Sequence, residues 1–317
     1  MAVLIIADRQ KVLSQILFEN KPVDSNYINK QASKWSARVY AVSKENRFYM
    51  FNTNWSDRVS FFPETKIATG IGVSYNNLAL DLGITVLTQS EITDQKTTGL
   101  NFIGAIYNKQ HVADIMLQVN KGYVAVGPDD SKTLRNDIRV FNFGINYDYL
   151  FNYTRYSFNA PFIGTQVQKK SAGSPMAGLF FTSYNVSGND TTILPAAFRS
   201  GFNSDDLFSN ANFFSGGITA GYAYTLVLPA RFFIMASLTP GLALNIGETI
   251  SDSTHILGSP VTFSPKLITR NSIGYAGNIF YALLSYSLDI NDIALNNKSQ
   301  LIYTPEKIKM VLGYRIK

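Results

Sequence analysis

The sequence predicts an all-β chain folded as a transmembrane, antiparallel, up-and-down β-barrel of about twelve strands. Three observations point there. From residue 34 onward apolar side chains recur at every second position, the period of strands with two unlike faces. The alternating stretches outrun the roughly 5–6 residues of soluble strands and reach the roughly 9–11 residues of a tilted membrane-crossing strand. The face opposite the apolar one is small and weakly charged, rich in Gly, Ala, Ser, Asn and Thr. Charged residues make up only 16% of the chain, against about a quarter in soluble domains.

Residues 1–33 read as a lead-in outside the barrel. Met1-Ala-Val-Leu-Ile-Ile-Ala7 resembles the tail of a secretory signal, and the expectation is a signal-peptide remnant followed by one barrel domain over 34–317. Outer-membrane barrels have short turns on the periplasmic side and longer loops outside. Short-turn signals stand at Asn76-Asn77, Asn108-Lys109-Gln110, 152–155, Leu228-Pro229-Ala230 and Gly277-Asn278. Longer polar segments stand at 53–65, 89–97, 123–136, 188–213, 248–259 and 291–304. Placing all short turns on one side gives strands at 34–52, 66–75, 78–88, 98–107, 110–122, 137–151, 154–187, 214–228, 231–247, 260–276, 279–290 and 305–317.

In the second strand Ile67, Ile71, Val73 and Tyr75 oppose Ala68, Gly70, Gly72 and Ser74. In the sixth, Phe141, Phe143, Ile145, Tyr147 and Tyr149 oppose Asn142, Gly144, Asn146 and Asp148. In the last, Ile308, Met310, Leu312, Tyr314 and Ile316 oppose Lys307, Lys309, Gly313 and Arg315. Aromatic clusters at strand ends, 147–153 and 281–286, match interfacial girdles. The stretch 154–187 is too long for one span. A split there, with another at Lys44-Glu45-Asn46, gives the alternative count of fourteen.

Composition excludes several classes. With no Cys there is no disulfide frame and no thiolate metal site. A membrane helix needs about 20 apolar residues, and the most apolar stretch, 226–244, is broken by Pro229, Arg231 and Pro240. The net charge of +6 is scattered, with Lys169–Lys170 the sole adjacent basic pair, so no nucleic-acid stripe forms. The loop acids Asp94, Asp129, Asp130, Asp205 and Asp206 show no calcium-loop spacing, and no metal or cofactor is expected. The competing architecture is a soluble β-sandwich binding module with the apolar face turned into a core.

Several segments together resemble one family: Asp24-Ser-Asn-Tyr-Ile28, Arg38-Val-Tyr40, Gly70-Ile-Gly-Val-Ser-Tyr75, Leu78-Ala-Leu-Asp-Leu82, Arg135-Asn-Asp-Ile138, residues 168–174 and Leu238-Thr-Pro-Gly-Leu242. They are similar to the domain of unknown function 4421 family over roughly 24–317. The resemblance implies an outer-membrane barrel of a Gram-negative, Bacteroidetes-like cell. It carries no activity, substrate or catalytic residue.

Two places stand out as candidate sites. Lys169, Lys170, Ser171 and Ser174 supply donors for an anion or for the phosphates of membrane lipid or lipopolysaccharide. By alternation Asp81, Asp114, Asp148, Lys266, Arg270, Asp289, Lys307, Lys309 and Arg315 face the lumen. Such charges either pair across a plugged barrel or line a narrow pore for a small anionic solute. The expected role is thus a narrow or plugged pore, or a structural scaffold for partner membrane proteins. An outer-membrane lipid hydrolase or acyltransferase is the alternative, with Ser171 or Ser174 as nucleophile. It lacks a local His, since His111 and His255 are the chain's two histidines.

Overall fold

The computed structural model describes residues 21–29, 34–63, 66–86, 98–190, 192–252, 255–295 and 299–316. Its strands are β1 (Ile28–Asn29), β2 (Trp35–Phe51), β3 (Arg58–Pro63), β4 (Lys66–Tyr75), β5 (Leu78–Val86), β6 (Thr98–Asn108), β7 (His111–Val126), β8 (Lys132–Leu150), β9 (Val167–Gln168), β10 (Ala172–Ser187), β11 (Asn210–Val227), β12 (Phe232–Asp252), β13 (His255–Ala276), β14 (Phe280–Leu295) and β15 (Ser299–Ile316).

Thirteen of these strands form one antiparallel sheet, and β15 pairs back onto β2 from Ile316↔Trp35 to Gln300↔Phe51. The sheet closes on itself, with β5 meeting β6 over the short seam Leu78↔Ile106 to Leu80↔Gly104, and ring closure is how strands satisfy their backbone in hydrocarbon. Leaving out the short β3, twelve strands make the ring, in agreement with the sequence reading. β3 fills the wall at the loop end, where Phe61 lies opposite both Phe48 of β2 and Ala125 of β7.

The alternation resolves into an apolar outside. Ile218 is 61% exposed while its neighbour Thr219, turned inward, is 5% exposed. Leu179, Leu238, Leu242, Phe263 and Leu312 are exposed on the same outer surface, an apolar area far beyond what a soluble monomer shows. On β11 the outward apolar run from Phe214 to Leu226 covers twelve residue steps. At about 3.3 Å per step and a tilt near 40° that is roughly 30 Å of height, the thickness of a hydrocarbon core. Aromatic pairs mark the short-turn rim: Trp35–Tyr75 at 4.5 Å, Phe280–Tyr314 at 5.2 Å and Phe232–Tyr275 at 5.5 Å. Phe181–Phe214 and Phe51–Trp55 stand on the loop side. The soluble-sandwich alternative fails here, because Ile145 is exposed and Asn142 and Asp148 of the same strand are buried.

Two expectations need correction. The stretch 154–187 is not one strand: only Ala172–Ser187 joins the ring, and residues 151–171 fold into the barrel mouth. Proline and aromatic residues at 156–162 favour this compact loop, because their rings bury against inward wall residues. The expected long loops at 123–136, 248–259 and 291–304 are mostly strand, since β7, β8 and β12 to β15 run on past the apolar belt. Above the belt the outward face turns polar while the ladder continues. Within the expected lead-in, residues 21–29 lie outside the ring and dock on the segment 151–171: Ile28 is buried, β1 pairs with β9, and the Lys21 N–H donates to the Tyr153 hydroxyl at 2.9 Å. The rest of the expected lead-in, 1–20 and 30–33, lies outside the described residues.

Candidate functional site

The lumen is built in three layers. At the short-turn end residues 151–171 form a plug whose Tyr156, Phe158 and Ile163 bury against Met176, Met235 and Leu283 of the wall. It is a compact loop closed at its base: the Ser157 hydroxyl donates to Gln166 Oε1 at 2.7 Å, and Gln168 Oε1 accepts the Ser157 N–H at 2.9 Å. Wall side chains reach in to hold its backbone. Arg315 Nε donates to the Gly164 carbonyl at 2.7 Å while its guanidinium lies 4.9 Å from the Tyr281 ring, and it also binds the Gly277 carbonyl. The Ser272 hydroxyl donates to the Pro161 carbonyl at 3.1 Å, and the Tyr281 hydroxyl to that of Ile163 at 3.3 Å.

At the opposite end residues 192–209 fold inward as a lid. Ile193, Leu194, Phe198 and Phe208 pack against Phe48, Tyr123 and other inward residues. Arg135 latches this lid, donating to the carbonyls of Ile193 at 2.5 Å and Thr192 at 3.0 Å while paired with Asp137 at 2.7 Å. Burial raises the Asp206 carboxyl above the usual carboxylate range, and the Asn203 N–H donates to it at 3.0 Å.

Between plug and lid lies a belt of charges. Arg270 bridges Asp114 at 2.8 Å and Asp148 at 3.1 Å, with Phe158 of the plug 5.9 Å below its guanidinium. Lys266 pairs with Asp289 at 2.6 Å and sits 4.3 Å from the Phe180 ring. Asp81 holds Arg38 at 2.7 Å and also Lys309. Two glycines make these reaches possible. Register places Gly72 between Arg38 and Asp81, and Gly178 between Asp148 and Thr219. A β-carbon at either glycine would collide with the carboxylate. The belt leaves a cavity of only ≈ 100 Å³, lined by Asp114, Arg270, Asp289 and Lys307 among others, well short of the roughly 300–1,000 Å³ of ligand pockets.

All nine sequence-predicted lumen charges fall on this inner surface or its rim, and eight of them engage a carboxylate, a cation or, for Arg315, backbone carbonyls. Lys307 is the exception. Sequence reading missed Arg38 as the partner of Asp81: the Asn76-Asn77 turn sets Gly72 opposite Asp81, but the β2–β4 register that sets Arg38 opposite Gly72 is not fixed by any short turn.

The second predicted group serves the plug. The Ser171 hydroxyl oxygen accepts the Val227 N–H at 2.9 Å, and that of buried Ser174 accepts the Asn152 N–H at 2.9 Å. Lys169 Nζ donates to the Ser25 carbonyl at 3.0 Å, and Lys170 lies 5.6 Å from the Tyr27 ring. The neighbouring Gln168 is the fastener: its amide N–H groups donate to the carbonyls of Arg155 at 2.7 Å, Lys170 at 2.9 Å and Tyr27 at 3.3 Å. Gln168→Ala therefore orphans buried backbone groups, a cost of roughly 2–3 kcal/mol. Hydrogen–deuterium exchange should show faster exchange across 151–171 with β11 to β13 unchanged.

Among the described residues no catalytic constellation forms. His111 Nδ1 lies 2.8 Å from the Tyr147 hydroxyl at the short-turn rim, while His255 begins β13 at the loop end. Among the described residues no cluster of His, Asp and Glu could hold a metal.

Residues 22–315 match the family described as Domain of unknown function (DUF4421). The chain is a member of the DUF4421 family. No curated protein sequence matches this DUF4421 chain. Among solved structures it is similar to the outer-membrane protease OmpT of Escherichia coli, at 7% identity and TM-score 0.37 over 90% of this chain and 98% of that one. It is also similar to the β-domain of the Bordetella autotransporter BrkA, at 10% identity and TM-score 0.41 over 88% and 99%. A third likeness is the translocator domain of the autotransporter NalP of Neisseria meningitidis, at 8% identity and TM-score 0.37 over 99% and 96%.

Proposed function

We propose that this DUF4421 chain is an integral outer-membrane barrel held closed at rest, a structural scaffold rather than an open pore. The observation that carries the reading is the double closure: an apolar plug at one end and an apolar lid at the other bracket a belt whose charges are largely paired. A spanning segment must satisfy its backbone internally, and a closed antiparallel ring with an apolar exterior does so. Short turns face the periplasm in such barrels, which puts the plug on the periplasmic side and the lid outside. The lipid-modifying alternative draws no support from the geometry, because the hydroxyls of Ser171 and Ser174 are engaged by the backbone.

Planar-bilayer recording of the purified protein tests the closed state. The expected trace is flat, with no unitary steps across ±100 mV (on the order of 2.3 kcal/mol per charge). A steady ohmic conductance from the intact protein would refute closure.

A further inference from the structure

The charge belt does not balance. Six cations, Arg38, Lys44, Lys266, Arg270, Lys307 and Lys309, stand on the inner surface with four carboxylates, Asp81, Asp114, Asp148 and Asp289. The surplus is not spread out. Lys307 of β15 lies directly opposite Lys44 of β2. On the other side of Lys307 the row continues through Ser287 to Arg270. Like charges at directly opposed positions repel even on an open sheet. Inside a closed lumen, where water is scarce, the repulsion is larger.

Neither Lys44 nor Lys307 makes an ion pair or hydrogen bond with another described residue. Each nearby carboxylate is already engaged. Asp81 is shared by Arg38 and Lys309, Asp114 is bound by Arg270 and by the Tyr107 hydroxyl at 2.6 Å, and Glu306 reaches Arg47 instead. Lys307 opens onto the ≈ 100 Å³ cavity, whose lining also holds Ser285, Ser287, Arg270 and the acids Asp114 and Asp289, which are paired with Arg270 and Lys266.

We propose that this cavity is a binding site for one small inorganic anion, held by Lys307 and neutralising the Lys44–Lys307 row. The size fits a halide or a phosphate with its water and excludes a bulky organic solute. Ammonium and hydroxyl donors around a water-poor space suit such an anion. Because both ends of the barrel are closed, the anion enters as the chain folds or during local opening. The site rests on the closed lumen, and the planar-bilayer recording reports that closure independently of any anion effect.

The test is refolding of the full chain from urea into detergent at constant ionic strength, with gluconate, chloride or inorganic phosphate as the anion. Gluconate is too large for the cavity. Chloride or phosphate is expected to raise the temperature at which the folded band is lost by several degrees over gluconate, saturably with concentration. K44Q/K307Q should lose that dependence and, in gluconate, melt at or above the wild type. K169Q/K170Q, at the short-turn end, should keep it. Equal melting of the wild type in all three anions would overturn the proposal, as would an unchanged anion response in K44Q/K307Q. If that variant fails to fold, wild-type crystals grown in bromide decide: an anomalous peak beside Lys307 Nζ supports the site, and a lumen without one refutes it.

Discussion

Arg270→Ala should destabilise the barrel by about 3–5 kcal/mol, the typical cost of removing one partner from a buried charge cluster. Arg270 is 6% exposed and is the shared counter-ion of Asp114 and Asp148, two acids on neighbouring strands. Without it both carboxylates face each other across a water-poor space, and each must stay charged against its neighbour or take up a proton. The plug also loses the guanidinium above Phe158. Urea titration in detergent, followed by loss of the folded band, reads the change. Most of the loss should return in R270M/D114N/D148N, because apolar and neutral groups of similar volume remove the unpaired charges. A single variant within about 1 kcal/mol of wild type would mean that the belt is solvated and the lumen wet.

The second large effect concerns access. The chain contains no cysteine, so a cysteine introduced at Thr219 is a unique reporter beside Asp148, 3.5 Å away in the present structure. In the closed barrel T219C should be inert to a charged, membrane-impermeant thiol reagent. Replacing residues 158–165 with a short Gly-Ser linker removes the plug tip while keeping its Ser157–Gln166 base. Labelling from the short-turn side should then rise by at least about two decades, the ratio expected when a site goes from a roughly 1% open population to fully open. The lid still blocks the other end, so the shortened variant alone should remain electrically silent. Conductance is expected only when residues 193–207 are shortened as well. Fast labelling of T219C in the intact protein would count against closure by the plug.

Much of this architecture was legible in the sequence, and the reason is physical. Lipid tolerates only apolar side chains on the outer face, so the period-2 signal on β8, β12 and β15 is clean. The inner face obeys a looser rule. On β15 it reads Leu301, Tyr303, Pro305, Lys307, Lys309, Val311, Gly313 and Arg315: apolar where the lid packs, charged in the belt, mixed where the plug packs. Periodicity separates two faces and says nothing of what fills the space between them.

The plug itself was the hidden part. Its residues follow no period, and its polar fasteners, Gln168, Ser171 and Ser174, look like a ligand site when seen without their backbone partners. Arg38 was hidden differently. Its partner Asp81 is two strands away, and only the register through Gly72 shows that nothing stands between them.

The most direct measurement of the lipid-facing assignment uses the same absence of cysteine. Single cysteines at Ile218, Leu242 and Leu312, all outward on the apolar belt, and at Asn54 and Pro128, both exposed in turns at the loop end, carry a fluorescent label introduced before refolding into vesicles. Lipids brominated midway along their acyl chains should quench the three belt labels strongly and leave the two loop-end ones bright. Equal quenching at Leu242 and Pro128, or none at Ile218, would contradict a barrel whose apolar face meets hydrocarbon.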